Sequence, residues 1–145
     1  MSTEVLLIDD SEGDVRLTRE ALHESRLAIN LSVATDGVDG LAYLRREGIH
    51  ADAPRPALIL LDLNMPRMDG RELLACIKAD ATLRSIPVVI LTTSDAQADV
   101  EIGYELQASC YLRKPGEWEG FAELMKNTLD FWLTKVKLPQ LTQRV

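Results

Sequence analysis

The sequence has few cysteines, few aromatic residues, no surplus of positive charge and no long apolar run. Each shortage removes a class of protein. Two cysteines in 145 residues, Cys76 and Cys110, could form one bridge at most, so this is not a disulfide scaffold. Both lie inside apolar or helical stretches, as reduced intracellular thiols usually do. The longest wholly apolar runs, such as 57–61 and 88–91, fall far short of the roughly 20 residues that cross a bilayer. The opening Met1-Ser2-Thr3-Glu4 shows neither the basic leader nor the small-residue cleavage site of a signal peptide, so a cytoplasmic chain is expected. Sixteen basic residues stand against 23 acidic ones, a net charge of −7. Gripping nucleic acid needs clustered Lys and Arg, so neither nucleic acid nor a membrane is an expected partner.

What is present is enough for one well-packed domain. The hydrophobic fraction is 46%, and the length matches a single domain. Apolar β-type runs at 5–8, 31–34, 58–61 and 88–91, with a weaker one at 110–112, alternate with helical spacings. The first, third and fourth runs are continuously apolar, as in strands buried on both faces of a parallel sheet. Helical spacing appears at Val15, Leu17, Ala21 and Leu22, then at Val38, Leu41, Ala42 and Leu44, then at Leu73, Leu74 and Ile77. A fainter pattern runs through Val100, Ile102, Tyr104 and Leu106, and a last helix is expected from about Glu117 to Val136. Five strand-then-helix repeats predict an α/β fold: a single doubly wound, five-stranded parallel sheet with helices on both faces. The segment 46–56, with two prolines, reads as a long loop between helix and strand. The domain is expected over 1–136, followed by a short tail over 137–145 and no second domain.

In such a sheet, ligands bind outside the carboxyl ends of the strands. The first predicted strand ends in Asp9-Asp10, the third in Asp62, the fourth in Thr92-Thr93-Ser94 and the fifth in Lys114-Pro115. Each alone has an ordinary reading. Asp9-Asp10 before Ser11 can close a strand and cap a helix, and Asp62 can sit in a turn. Thr92 can simply end a strand, and Lys114 can be a solvated lysine. Together they are harder to explain that way. Three carboxylates at one place repel one another unless a cation is present, and oxygen-only ligands suit Mg²⁺. A metal, an ammonium and a hydroxyl around a carboxylate make a site for a phosphoryl group, with the carboxylate as nucleophile.

The same residues carry a family resemblance. Asp9-Asp10, the stretch Asp62-Leu63-Asn64-Met65-Pro66-Arg67-Met68-Asp69-Gly70, Thr92, and Tyr111-Leu112-Arg113-Lys114-Pro115 resemble, in order and spacing, the receiver domain of two-component response regulators. The likeness covers about 4–130. It implies a flavodoxin-like receiver fold in which Asp62 is the phospho-acceptor. Asp10, Asp62 and the main-chain carbonyl of Asn64 would hold Mg²⁺, with Asp9 acting through water. Lys114 would pair with Asp62 and then with the phosphoryl oxygens, across a cis bond to Pro115. Thr92 would turn its hydroxyl to the phosphoryl group, and Tyr111 would swing inward behind it. Two residues depart from the pattern. Thr93 replaces a smaller residue, and Gln107 stands where a glycine usually ends the fourth helix, so a different helix end is expected there.

The resemblance implies a partner, a sensor histidine kinase, and output by protein contact or phosphorelay. The ending Phe131-Trp132-Leu133-Thr134-Lys135-Val136-Lys137-Leu138-Pro139, with Tyr104 and Cys110-Tyr111, further resembles stand-alone receivers that serve phytochrome-type kinases. An orphan receiver serving another kinase class is the nearby alternative. An enzyme reading also stands at this point: an Mg-dependent phosphatase with an aspartate nucleophile. Such enzymes add an acid/base aspartate two residues on, where this chain has Asn64. Finally, Trp118, Phe121, Phe131 and Trp132 all fall on the last predicted helix. That is more apolar surface than one sheet face covers, so a homodimer through this helix and the tail is expected.

Overall fold

The computed structural model describes residues 2–139. Five parallel strands, β1 (Thr3–Ile8), β2 (Ile29–Ala34), β3 (Leu58–Leu61), β4 (Val88–Thr92) and β5 (Cys110–Arg113), lie in the order β2-β1-β3-β4-β5. The helices are α1 (Glu12–Glu24), α2 (Gly37–Arg45), α3 (Gly70–Ala79), α4 (Gln97–Glu105) and α5 (Trp118–Asp130). The expected doubly wound sheet is therefore observed. Strand edges differ by one or two residues, where Thr3, Glu4, Ile29 and Asn30 extend the starts of β1 and β2 and Thr92 and Arg113 the ends of β4 and β5.

Alternation along the strands divides the core in two. Leu6, Ile8, Ile59, Leu61 and Ile90 face α2 and α3, where Leu41, Leu44, Leu73, Leu74 and Ile77 meet them. Val5, Leu7, Leu58, Leu60, Val89 and Leu91 face α1 and α5, against Ala21, Phe121, Met125 and Leu129. Each fully buried aliphatic side chain contributes about 1.5–3 kcal/mol, so β1, β3 and β4 anchor the domain.

Four local expectations need correction. Val38, expected on the inner face of α2, is exposed, and Tyr43 is buried in its place with its hydroxyl bonded to Ser32 Oγ at 2.9 Å. The segment 46–56 holds a short 3₁₀ turn, Gly48–His50, rather than continuous loop. The last helix stops as an α-helix at Asp130 and continues as a π-helical turn, Phe131–Lys135, which re-aims the final aromatics. Gln107 does take the left-handed conformation, φ +68°, and its N–H still bonds Tyr104 O at 2.9 Å while Ala108 N–H bonds Gly103 O at 3.0 Å. The reshaped helix end is thus not seen, because these two bonds hold a non-glycine residue where it costs about 1–2 kcal/mol.

Gly70 begins α3 directly behind the end of β3. A methyl group there would lie 2.3 Å from the Asp62 carbonyl oxygen and 2.7 Å from Leu63 Cα. Both are backbone atoms, so the strand end itself has to move. Overpacking of this kind costs about 1–3 kcal/mol. Urea unfolding of Gly70→Ala is expected to show that loss, whereas Gly116→Ala, with open space around it, should leave the midpoint nearly unchanged. Equal midpoints for the two variants would contradict the close approach.

Candidate functional site

The sheet ladder runs past the strands and fixes the backbone of the residues that follow them. Asp9 N–H bonds Ala34 O at 3.0 Å, Asp62 N–H bonds Ile8 O at 3.0 Å and Lys114 N–H bonds Thr92 O at 2.7 Å. Strands β1, β3 and β5, with β4 between the last two, therefore deliver an aspartate, an aspartate and a lysine to one edge. Carboxylate oxygens of Asp9, Asp10 and Asp62 lie within 4.8 Å of one another. Asp9 and Asp62 are buried, and Asp10 is exposed to solvent.

Lys114 sits in the middle of this charge. Its Nζ donates to Asp9 Oδ2 at 2.8 Å, Asp14 Oδ2 at 2.8 Å and Asp62 Oδ2 at 3.3 Å. The expected pairing with Asp62 is the longest of the three. Asp14 is a partner that sequence reasoning missed. In Ser11-Glu12-Gly13-Asp14 it reads as half of a helix cap, and Ser11 Oγ does accept from its N–H at 3.2 Å. Its carboxylate nevertheless turns across to the lysine. Asp9 has both oxygens engaged, Oδ1 by Ser11 N–H at 2.9 Å and Oδ2 by Lys114.

Burial disfavours both charges, and the outcome differs for the two. Burial raises the Asp9 carboxyl above the usual carboxylate range, beyond what the bond and charge of Lys114 and the Ser11 N–H offset. Burial also opposes the Lys114 ammonium, but its bonds to Asp14 and Asp9, with the charges of Asp9 and Asp62, hold its pKa above the ordinary lysine value. Lys114 is a permanent cation.

The remaining predicted residues frame this cluster. Thr92 is fully buried, and its Oγ1 has no hydrogen-bond partner among the described residues. A buried hydroxyl left unpaired costs about 1–3 kcal/mol, so this one stands ready for an acceptor. Thr93 beside it is exposed. Tyr111 is half-buried and donates its hydroxyl to Ser94 O at 2.8 Å, on the loop just after Thr92. Burial pushes that phenol's pKa up, so it stays a donor. Gly103 on α4 makes room for the ring, since a methyl there would lie 3.1 Å from Tyr111 Cδ2. The Lys114–Pro115 bond is not cis, correcting the expectation, because no cis peptide occurs among the described residues. Trans is the default X–Pro isomer by about 0.5–1 kcal/mol.

Asn64 is exposed, and its N–H approaches Asp62 Oδ1 at 3.3 Å. Its loop is pinned from outside by contacts that no motif announces. Arg67, at φ +66°, forks onto Asp36 with Nε–Oδ2 at 2.8 Å and Nη2–Oδ1 at 3.1 Å, and Gly37 N–H bonds Met68 O at 3.0 Å. The donor set is oxygen-only and includes exposed Asp10, which fits a hard divalent cation and leaves room for water. An unpartnered hydroxyl and a permanent cation beside a carboxylate can accommodate a phosphoryl group.

Comparison with known proteins agrees with this geometry. Residues 5–126 match the profile of the response regulator receiver domain. Response regulator Rcp1 of Synechocystis sp. is 44% identical over 135 residues, which cover 93% of this chain and 92% of Rcp1. The crystal structure of the phosphorylated cyanobacterial phytochrome response regulator RcpA superposes with a TM-score of 0.94 at 42% identity, covering 97% of this chain and 100% of RcpA. The Mn²⁺-bound form of Rcp1 gives a TM-score of 0.92 at 43% identity, covering 95% of this chain and 99% of that one.

The lysine is the element most open to test. The Lys114 and Asp9 side chains are 4% and 2% exposed, and removing one partner of so buried a pair costs about 3–5 kcal/mol. In Lys114→Met, the Asp9 carboxyl rises further above its unfolded value. A group with a raised folded pKa adds stability below its unfolded pKa and loses it as pH rises through the folded one. The deficit of Lys114→Met should therefore be largest at neutral pH and shrink toward pH ~4. Urea unfolding at the two pH values measures it, and a deficit independent of pH would contradict the pairing.

Proposed function

The chain belongs to the response regulator receiver family, and from that membership we propose that Asp62 accepts a phosphoryl group from a phosphohistidine of a sensor histidine kinase. The observation that carries this reading is the meeting of Asp62 with Lys114 and the unpartnered Thr92 hydroxyl at one strand edge. A carboxylate oxygen of Asp62 attacks phosphorus as the bond to the imidazole nitrogen breaks, and that nitrogen keeps the electron pair. The product is an acyl phosphate. Lys114 neutralises the phosphoryl oxygens and Thr92 donates to one of them. Mg²⁺, held by Asp10, Asp62 and the Asn64 carbonyl with Asp9 through water, would supply further positive charge there. Tyr111 follows Thr92 inward and reports the change on the α4–β5 surface. Family membership makes this a signalling module rather than the phosphatase, and Asn64 offers no acid for that chemistry.

A phytochrome-type kinase is the partner this reading favours, supported by the likeness to Rcp1 and RcpA over nearly their whole lengths. Residues 1–136 are the receiver and 137–145 a short tail. The protein works in the cytoplasm with its kinase, by protein contact or phosphorelay. Its charge of −7 disfavours nucleic acid and anionic membrane surfaces. Asp62→Asn should abolish labelling by a phosphorylated kinase and by small acyl phosphates, because an amide is a poor nucleophile. Mass spectrometry decides it: undiminished labelling of that variant would move the acceptor elsewhere.

The reading includes a homodimer. Phe121 is buried in the core, but Trp118 and Phe131 are 56% and 54% exposed. Phe131, Trp132, Leu112, Cys110 and Val136 line an apolar groove of about 600 Å³ along β5 and the end of α5. Leu138 is half-buried, and Leu141 lies outside the described residues. A two-fold contact would bury this patch against its own copy. Interface aromatics contribute on the order of 2 kcal/mol each. Phe131→Ala with Trp132→Ala should therefore shift the protein toward monomer in concentration-dependent light scattering. A monomeric parent chain, with and without an acyl-phosphate mimic, would overturn the dimer.

A further inference from the structure

Helix α4 is held to the domain in a different way from the other helices. Its one buried residue is Gly103, while Ile102 and Tyr104 are exposed. Its N-cap, Ala96, supplies no capping side chain. Polar contacts do the holding instead. Asp99, in the first turn, receives Arg71 Nη2 from α3 on Oδ1 at 2.5 Å and the Ser94 hydroxyl on Oδ2 at 2.6 Å. Ser94 Oγ in turn accepts the Ala96 N–H at 3.3 Å. Arg71 also lies 3.8 Å from Asp69 Oδ2, so the tie begins at the N-terminus of α3, beside the candidate site.

Ser94 is the pivot. Its side chain is fixed from two directions, and its carbonyl is the acceptor that Tyr111 uses. It also lies two residues beyond Thr92, on the loop that leaves β4. We propose that Arg71 and Asp99 are positioning residues that hold Ser94 where Tyr111 docks, and so set the fraction of the protein ready to accept a phosphoryl group. This rests on the receiver reading above. Arg71 orients Asp99, Asp99 orients Ser94, and neither touches the acceptor. The Ser94 bond, then the bond and charge of Arg71, keep Asp99 ionised below the usual carboxylate range. If the docked arrangement is the one that accepts, weakening the tie lowers its population, and the rate falls with it.

The experiment uses the full chain with Asp99→Asn, Arg71→Gln, Ser94→Ala and the Arg71→Gln/Asp99→Asn pair. Two quantities are read: the initial rate of labelling by acetyl phosphate with Mg²⁺, and the ¹³C-tyrosine NMR ring signal of Tyr111, assigned with Tyr111→Phe. Each single variant should lose roughly fivefold or more in rate and shift the Tyr111 signal in one common direction. The pair should fall no further than its worse member, because both residues act through one tie. A purely structural role would lower the melting temperature while leaving the Tyr111 signal and the rate per folded molecule unchanged. That result in Asp99→Asn overturns the proposal, as does full additivity in the pair. If the unaltered chain is not labelled on Asp62, the receiver reading fails, and the Tyr111 signal measured without any phosphodonor still decides the tie.

Discussion

One ammonium group has to balance a crowd of carboxylates, and much of the site follows from that constraint. Lys114 Nζ meets Asp9, Asp14 and Asp62, and Asp10 adds a further negative charge within reach of the same oxygens. The buried charges of Asp9, Asp62 and Lys114 would each be costly on its own at this depth. The sheet ladder fixes the backbone of Asp9, Asp62 and Lys114 at the ends of β1, β3 and β5, and α1 brings Asp14 to the same lysine. The result is a folded state with residual local negative charge. Such an oxygen-only site suits a hard divalent cation.

The packing explains why this imbalance is tolerated. The strands that carry Asp9 and Asp62 are among the most deeply buried segments, with Leu6, Ile8, Leu58, Ile59, Leu60 and Leu61 all essentially inaccessible. Burial on both faces supplies stability far from the charged edge. Ligand binding can then be tuned at the strand ends without redesigning the core.

That separation also sets what could be read from the sequence. Continuous apolar runs identify β1, β3 and β4, because strands buried on both faces admit few polar residues. The strand-end rule then points to Asp9, Asp10, Asp62, Thr92 and Lys114. Asp14 was hidden because its helix-capping pattern already explains it. The Arg67–Asp36 fork joins residues 31 positions apart, and the Arg71–Asp99 bond joins residues 28 apart. No local pattern marks either pair. The exposure of Val38 and the burial of Tyr43 came from a polar partner, Ser32, on a neighbouring element. The π-helical turn at Phe131–Lys135 has no sequence period distinct from the α-helix it continues.

The last strand joins these parts. On β5, Tyr111 faces the layer that holds α3 and α4, while Cys110 and Leu112 face the layer that holds α5 and the groove beside Trp132. Lys114 follows at the strand's end, bonded through its backbone to Thr92. Alternation assigns each duty to its own side, so a slip of one residue would exchange Tyr111 for a groove residue and disconnect both. The two flanking helices differ to match. Helix α5 is anchored by Phe121, Met125 and Leu129 in the core, whereas α4 relies on Gly103 and a chain of polar bonds. Polar bonds at a surface exchange with water at small net cost, and buried apolar contacts do not. Helix α4 is therefore the one held more loosely to the sheet, and α5 the one held more firmly.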